Sequence, residues 1–267
     1  LEDNLKHIGK VKPEEMLPAI YGLPWGYRRR ARLTARYVAN KGGVLVGFRE
    51  KRGSYVADMT SCEVLPPHIS ALLIPLLEVL SRLSIRERMP QVEVALGDAL
   101  DVLVLRNLEP LNEEDETLLR AFADRHAVQL YLQPRGPDSA YPFHSGSGAG
   151  LYYTLPEFDL KIRFTPTEFT QVNHDINRVL VRRALTLLEP QPGERIADMF
   201  CGIGNFALAI ARRGAAVVGV EGRAGLVGHA AENAVANGLA DSKQFLTMDL
   251  FKMDAAVLAA LGQFDRC

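Results

Sequence analysis

The feature that most constrains the fold of this chain is a glycine turn, DMFCGIGNF, at residues 198–206. The apolar residues before it predict a buried strand over 195–200, and the residues after it predict a helix over 205–213. Gly202 and Gly204 let the backbone turn tightly and approach a ligand without a Cβ in the way. In an open α/β sheet, ligands bind in the crevice at the carboxyl end of such a strand.

Strands and helices alternate around this turn. The order is a helix over 173–188, the turn unit, a strand over 216–221, a helix over 224–237 and a strand over 244–248. This alternation predicts βαβ units and a parallel sheet, so we expect a Rossmann-like α/β domain over 161–267. Asn173 is the expected N-cap of the first helix, and the 3.6-residue period predicts that its apolar side carries Ile176, Val179, Leu180, Ala184 and Leu187.

The first half predicts an α+β domain over 1–160. Residues 24–38 alternate in polarity, which is typical of a half-buried strand with Arg30, Arg32, Thr34 and Arg36 on its polar face. A return strand over 44–50 follows, and a helix is predicted over 68–83. The remaining predictions are a hairpin over 91–96 and 101–107, a helix over 112–126 and a strand over 128–133. Residues 134–150 are rich in Gly, Pro and Ser and are interpreted as a loop or domain connection.

Carboxylates at the ends of successive strands predict a nucleoside site. Glu221 closes the strand after the turn, where an acidic side chain can accept hydrogen bonds from both ribose hydroxyls. Asp249 follows the next strand, on the same rim of the sheet. The simpler alternative is that the glycines form only a tight connection. The dinucleotide fingerprint G-x-G-x-x-G requires Gly or Ala at its third position, which is taken here to be Leu208. Because Leu departs from the fingerprint, an NAD-dependent dehydrogenase is a distant alternative.

Charge and cysteine content limit the other functions. The net charge is −1, so contact with nucleic acid requires a local patch. Such a patch is predicted where guanidinium groups, which bind phosphates bidentately, cluster beside Trp25 and Tyr27. Its members are Arg28, Arg29, Arg30, Arg32 and Arg36. The alternative is a solvated strand face paired with acidic side chains.

Three widely spaced cysteines, with no CxxC pair, argue against a disulfide framework. The apolar runs are too short and interrupted to span a bilayer, and no stretch resembles a signal peptide. We therefore expect a cytoplasmic protein without membrane contact, and a monomer.

The turn, together with FTPTEFTQVN at 164–173 and VVGVEG at 217–222, closely resembles the RNA (uracil-5-)-methyltransferase family. PWGYRRRARL at 24–33, VGFRE at 46–50 and Cys62 resemble the members of that family that modify 23S rRNA. The resemblance implies a class I methyltransferase that uses S-adenosylmethionine (SAM) to methylate C5 of a uracil in 23S rRNA. It also implies the partner, 23S rRNA.

The resemblance assigns roles to individual residues. Cofactor-binding positions in and around the turn are Gln171, Phe200, Gly202, Gly204, Asn205, Glu221 and Asp249. Phe169 lies at a position near the target base, although a core role is the alternative, and Gln171 could instead cap the following helix. Cys62 matches the last of four cysteines that hold a [4Fe–4S] cluster in the intact protein. Without the other three we do not expect a cluster on this chain, and Cys62 could be an inert apolar residue.

Methylation at C5 needs a thiolate that adds to C6 and a base that removes the C5 proton. The resemblance places that Cys and that Glu beyond Cys267, so we expect no catalytic residue within this chain. We interpret Cys201 as structural, because it lies in the cofactor turn. The family's first three cluster cysteines and its N-terminal β-barrel, the TRAM domain, would precede residue 1, so the chain is expected to be truncated at both ends. Two alternatives stay open: a SAM-dependent methyltransferase for tRNA, protein or a small molecule, and a non-catalytic fragment that binds SAM or RNA.

Overall fold

The computed structural model describes residues 2–51, 53, 55–144, 150–240 and 243–267. The helices are α1 (Glu2–His7), α2 (Pro67–Ser70), α3 (Leu73–Arg82), α4 (Glu113–His126), α5 (His174–Leu188), α6 (Ala207–Arg212), α7 (Ala224–Ala236) and α8 (Ala255–Ala260). The strands are β1 (Arg30–Val38), β2 (Gly43–Gly47), β3 (Gln91–Leu96), β4 (Asp101–Arg106), β5 (Gln129–Leu132), β6 (Tyr141–His144), β7 (Tyr152–Leu155), β8 (Leu160–Arg163), β9 (Arg195–Asp198), β10 (Ala216–Glu221) and β11 (Lys243–Thr247). The predicted α/β class is confirmed.

The first half forms a six-stranded sheet in the order β2-β1-β3-β4-β5-β6. Its neighbours are antiparallel except for β4 and β5, which are parallel and are joined through α4. Asn112 begins α4 with a reciprocal capping box, because its side chain accepts from the Asp115 N–H while Asp115 accepts from the Asn112 N–H. The two predicted hairpins are confirmed.

The alternation predicted for 24–38 is confirmed from residue 30 onward. Ala31, Leu33 and Ala35 are buried, whereas the side chains between them lie on the opposite face. The buried face packs against α3 and α4 and forms the first hydrophobic core. Burial of these apolar side chains supplies most of the stabilisation of this layer, at roughly 25 cal/mol per Å² of apolar surface.

Two predictions for this half are wrong in part. The helix predicted over 68–83 is two helices, because the Pro75 ring would clash with the carbonyl of residue 71 in a continuous helix. The segment interpreted as a loop, 134–150, contains β6, which adds an edge strand to β5. Residues 145–149 of that segment lie outside the described residues.

The second half contains a parallel sheet in the order β11-β10-β9. Arg266 adds an isolated parallel bridge to Ile196 on the edge of β9 that faces away from β10. The second core joins this sheet to α6 and α7, to the β7–β8 hairpin and to Ala95, Val102 and Val104 of the six-stranded sheet.

The predicted apolar side of α5 is wrong. Leu180 and Leu187 are 39% and 64% exposed, whereas Val181 and Leu185 are buried. Asn177 shares the buried stripe with them, at 2% exposure. The polar Asn177 interrupts the apolar pattern on the core side of α5, so the pattern did not indicate the buried face. Asn177 is buried because its amide pairs with Asn205 in the glycine turn.

The predicted division at residue 160 falls at the turn of the β7–β8 hairpin, next to the Leu155–Leu160 pair. The domain limits 1–160 and 161–267 stay a prediction. Among the described residues, no helix has both the length and the apolar character needed to cross a bilayer.

Candidate cofactor site

The glycine turn follows β9 and leads into α6, which starts at Ala207 rather than at residue 205. Gly202 and Gly204 have φ of 53° and 99°, values that L side chains rarely adopt. A Cβ at Gly204 would also lie 2.9 Å from Leu208 Cγ. The Cys201 N–H donates to Val220 O at 3.1 Å, which ties the turn to β10. Glycine is therefore required at Gly204 for both conformation and space.

The two carboxylates predicted for the rim, Glu221 and Asp249, lie at the carboxyl ends of parallel strands, and Asp198, which was not predicted as a site residue, lies at the end of β9 beside them. Asp198 pairs with Gly219 in register, so Glu221 lies two positions farther along the same edge. Asp249 follows β11 and caps a short 3₁₀ turn by accepting from the Phe251 N–H at 3.1 Å. The structure thus brings Asp198, Glu221 and Asp249 to one edge, as expected for parallel strands.

Asp198 is the most buried of the three. Burial raises its pKa, the backbone N–H groups of Phe200 and Ala207 act in the opposite direction, and Glu221 raises it further. Its Oδ2 atom is buried and has no hydrogen-bond partner among the described residues. A buried acceptor without a donor is uncommon in folded proteins and calls for a ligand or a water molecule. Glu221 Oε1 accepts only weakly from the Arg223 N–H, at 3.2 Å, which leaves most of its acceptor capacity free.

Phe200 and Asn205, near the two ends of the turn, differ in their surroundings: the first is exposed and the second is hydrogen-bonded to other elements. The Phe200 ring is 72% exposed on the rim. The Asn205 side chain forms a reciprocal amide pair with Asn177 at 2.9 Å in both directions. Its oxygen also accepts from the Tyr153 hydroxyl, whose pKa is raised by burial. With both acceptor positions of Oδ1 in use, Asn205 retains one side-chain N–H for a ligand.

The loop before α5 presents the two other predicted side chains. Phe169 is 68% exposed and Gln171 is exposed. A core role for Phe169 is therefore wrong. The helix cap is supplied by Asn173, whose side chain accepts from the Ile176 N–H, as predicted, and not by Gln171.

Glu168, which sequence reasoning missed, holds this loop. It is 8% exposed. Its carboxylate lies 2.7 Å from His229 Nδ1 on α7 and accepts from the Thr165 N–H at 2.7 Å. Its backbone oxygen accepts from the Arg30 guanidinium. Because Glu168 is fixed on three sides, the neighbouring Phe169 is directed to the surface.

The predicted arginine patch is placed beside this loop. The Arg29 N–H donates to Val172 O at 2.7 Å, and Arg28 forms an isolated bridge with Asn173. Arg30 and Arg32 both pair with Glu93, at 3.5 and 3.0 Å, and Glu93 is buried. Burial is the main cause of a lowered pKa at Arg30. The alternative of pairing with an acidic side chain is therefore correct for these two, and of the pair Arg32 is the more accessible, at 64% exposure of its side chain.

The cysteines occupy three different environments. Cys62 is partly buried against the first core. Its N–H donates to Ser70 Oγ at 2.8 Å. No group of three or more candidate metal ligands occurs among the described residues, so those residues alone do not supply the four thiolates usual for a [4Fe–4S] cluster. Cys201 is buried and Cys267 is exposed.

Cys201 is expected to resist alkylation in the native protein. Burial raises the pKa of its thiol to about 12, with added repulsion from Asp198 and Glu221. At pH 8 the reactive thiolate is then on the order of one part in 10⁴. Iodoacetamide at pH 8 followed by peptide mass spectrometry should label Cys267 and leave Cys201 unmodified until urea is added. Equal labelling of the two cysteines without urea would show that Cys201 is accessible and reactive.

A cavity of about 390 Å³ lies beside the site, between the 164–168 loop and the start of α7. Thr165, Glu168, Arg223 and His229 are among its lining residues, and none of the predicted cofactor residues lines it. This cavity is therefore distinct from the predicted cofactor site.

Leu208 does not exclude NAD, contrary to the prediction. Counted from Gly202, the third position of G-x-G-x-x-G is Ala207, and the fingerprint accepts alanine there. Leu208 follows that position and is fully buried over Gly204. The glycine turn alone therefore fits either NAD or SAM. The segments that flank the turn decide between these two cofactors.

Comparison with known proteins supports that choice. Residues 154–260 match the family described as tRNA (Uracil-5-)-methyltransferase. Over the whole chain, identity is 63% to the 23S rRNA (uracil(1939)-C(5))-methyltransferase RlmD of Nitrosospira multiformis and 58% to that of Cupriavidus necator. The chain spans 61% and 60% of the length of these two relatives.

A solved structure shares the fold. The tRNA (uracil-54, C5)-methyltransferase of Pyrococcus abyssi, in complex with S-adenosyl-L-homocysteine, superimposes with a TM-score of 0.70 at 18% identity. The match covers 99% of this chain and 63% of that one. This likeness confirms the Rossmann-like α/β fold predicted for the second half.

Proposed function

Through residues 154–260 the chain belongs to the RNA (uracil-5-)-methyltransferase family, and on that premise we propose that the protein methylates C5 of a uracil in 23S rRNA with SAM as the methyl donor. The observation that carries the proposal is the shared rim. The loop with Gln171 and Phe169 lies next to the arginine-bearing strand β1, and α5, which follows that loop, is bonded to the glycine turn through Asn177 and Asn205. One side of that rim suits a nucleoside and the other suits RNA.

The residues fit an adenosyl sulfonium. Glu221 would accept hydrogen bonds from the ribose hydroxyls, and Asp249 would lie near the ribose or adenine. A Cβ at Gly202 would meet no atom within 4 Å, so that position faces open space beside the turn, whereas Gly204 lets the turn pack closely on Leu208. Phe200, Asn205 and Gln171 would contact the ligand. When bound, SAM supplies an electrophilic methyl group on sulfur.

The RNA side of the proposal rests on Phe169 and the arginines. The exposed Phe169 ring offers a face on which an unpaired base can stack. Arg28, Arg29, Arg30 and Arg32 would contact RNA phosphates, although Arg30 has little free hydrogen-bonding capacity. The thiolate and the base of the reaction are not assigned to this chain, because the Cys201 thiol is buried and protonated.

The remaining parts of the proposal concern the whole protein. The relatives named above modify 23S rRNA; we propose the same substrate, a cytoplasmic location and a monomer. Cys62 is proposed as one ligand of a [4Fe–4S] cluster in the intact protein. Those relatives and the P. abyssi enzyme differ in substrate, so tRNA is the competing substrate.

The test is methyl transfer by the full-length protein from radiolabelled SAM to unmodified 23S rRNA and to unmodified tRNA, with the product nucleoside identified by mass spectrometry. We expect 5-methyluridine in 23S rRNA only. Glu221→Gln should weaken SAM binding by about 10- to 100-fold, because it removes the charge from one or two hydrogen bonds.

The matched control for that variant is Glu78→Gln, at an exposed position on α3 in the other half of the chain. Calorimetry with SAM should show no change for this control. Methylation of tRNA alone would contradict the substrate, and equal SAM affinity in Glu221→Gln and Glu78→Gln would contradict the site.

A further inference from the structure

The polar face of the six-stranded sheet is only half covered. Ala95, Val102 and Val104, toward one end, belong to the second core. At the other end the same face opens into a hollow of about 410 Å³. Its lining residues, called the sheet trough below, are Arg32, Thr34, Arg49, Pro90, Gln91 and Arg106.

The strand register explains why these side chains meet. Thr34 on β1 pairs with Gln91 on β3, and Gln91 pairs with Arg106 on β4, so the three form one row across the sheet. Arg32 lies two residues along β1 and therefore on the same face. Arg49 follows β2, the strand on the other side of β1. Arginines far apart in sequence thus line one surface.

The sheet trough carries uncompensated positive charge. Arg32 is paired, but its partner Glu93 is shared with Arg30. Neither Arg49 nor Arg106 lies within 4 Å of a carboxylate oxygen among the described residues. Glu87 borders the adjoining hollow, yet it forms no ion pair there with the described arginines.

An unmet hydrogen-bonding group lies at the same place. Arg106 Nε is buried and has no acceptor within the described residues. Gln133 directly follows β5 and lies next to Arg106, since Leu105 pairs with Leu132. It is 3% exposed, and its Oε1, which can only accept, also lacks a partner. Buried polar groups are normally satisfied, so the Arg106 Nε–H donor calls for an anion or an ordered water, whereas Gln133 Oε1 calls for a donor.

The position of the sheet trough relative to the loop that carries Phe169 indicates which anion it binds. Arg32 shares Glu93 with Arg30, and Arg30 bonds to the backbone of Glu168, next to the exposed Phe169. Arg106 lies two strand spacings, about 10 Å, across the sheet from β1. An RNA whose base reaches Phe169 would continue its backbone over this face.

We infer that the sheet trough binds phosphates of the RNA substrate, with Arg49 and Arg106 as its principal contacts beside Arg32. This inference rests on the proposed function, since the ligand is the same RNA. It adds two arginines from outside the cluster at residues 28–36 and extends the RNA path onto the sheet. Guanidinium groups suit phosphate because their N–H fork binds it bidentately.

The experiment measures binding of an unmodified 23S rRNA transcript to the full-length protein by fluorescence anisotropy across a range of salt concentrations. Arg49→Gln and Arg106→Gln are each expected to weaken binding about 5- to 10-fold at low salt. Each should also reduce the slope of log K against log salt by about 0.7 to 0.9, the effect of one lost phosphate contact. SAM affinity should be unchanged.

Arg125→Gln is the matched control, because Arg125 is an exposed arginine on α4, on the opposite side of the sheet. Arg49 is itself exposed, so its variant keeps the test valid if Arg106→Gln fails to fold. Affinities and salt slopes equal to those of Arg125→Gln would overturn the inference. If the unaltered protein methylates 23S rRNA in that case, the proposed function stands alone. Weaker RNA binding by both variants, in a protein that transfers no methyl group, would support the sheet trough and contradict the proposed function.

Discussion

Replacing Gly204 with alanine is expected to lower the free energy of unfolding by about 2–5 kcal/mol, as the sum of backbone strain and overpacking. The strain arises because φ at this residue is 99°. The overpacking arises because the new Cβ would lie 2.9 Å from Leu208 Cγ and 3.0 Å from its Cδ1. Leu208 is fully buried at the start of α6.

The same substitution should weaken SAM binding more than tenfold, since relief of either contact displaces the turn that approaches the ligand. Urea unfolding and SAM calorimetry measure the two effects. Gly228→Ala is the control: it lies in the interior of α7, and a Cβ there would have no atom within 4 Å. There alanine should stabilise by about 0.5–1 kcal/mol through helix propensity. Similar stability of the two variants would show that the turn tolerates a side chain.

The elements around the turn were predictable because their signals are local. The limits of β10 match the predicted 216–221, since a run of β-branched residues bounded by glycines is read directly from the sequence. The polar face of β1 was predictable for the same reason, because alternation at period two needs no knowledge of other strands.

The partners of those residues were not predictable. Arg32 and Glu93 meet across β1 and β3 although 61 positions separate them. The pairing cannot be predicted without the register of β1 against β3. Likewise, Asn177 looks like a surface residue until its amide is seen paired with Asn205, 28 positions away. That single pair explains why the predicted apolar side of α5 was wrong.

Glu168 illustrates the same limit within the site. In the sequence it is one charged residue in a polar loop, and a solvated position is the ordinary expectation. Only the fold brings His229 from α7 and Arg30 from β1 to it. A glutamate two residues after a proline and directly before an aromatic was the only available signal, and such a signal is weak.

The stability of the protein is expected to fall by roughly 3 kcal/mol as the pH is lowered from above 6.5 to about 4, through His174 alone. His174 is 5% exposed, and both its ring nitrogens lack a hydrogen-bond partner among the described residues. Burial lowers the pKa of the imidazole to about 4. Arg29 and Arg178 lower it further, while Asp98, at 3.9 Å, and Asp175 oppose them.

The sign follows from proton uptake. Between pH 6.5 and 4 the unfolded chain binds a proton at this histidine and the folded protein does not, so unfolding is favoured as the pH falls. His174→Phe removes the titration and suits a site that faces the Tyr153 ring at 5.2 Å. Urea unfolding at pH 7.5 and pH 5 should therefore show a smaller loss of stability in the variant than in the unaltered protein. Parallel losses in the two proteins would mean that His174 is protonated in the folded state.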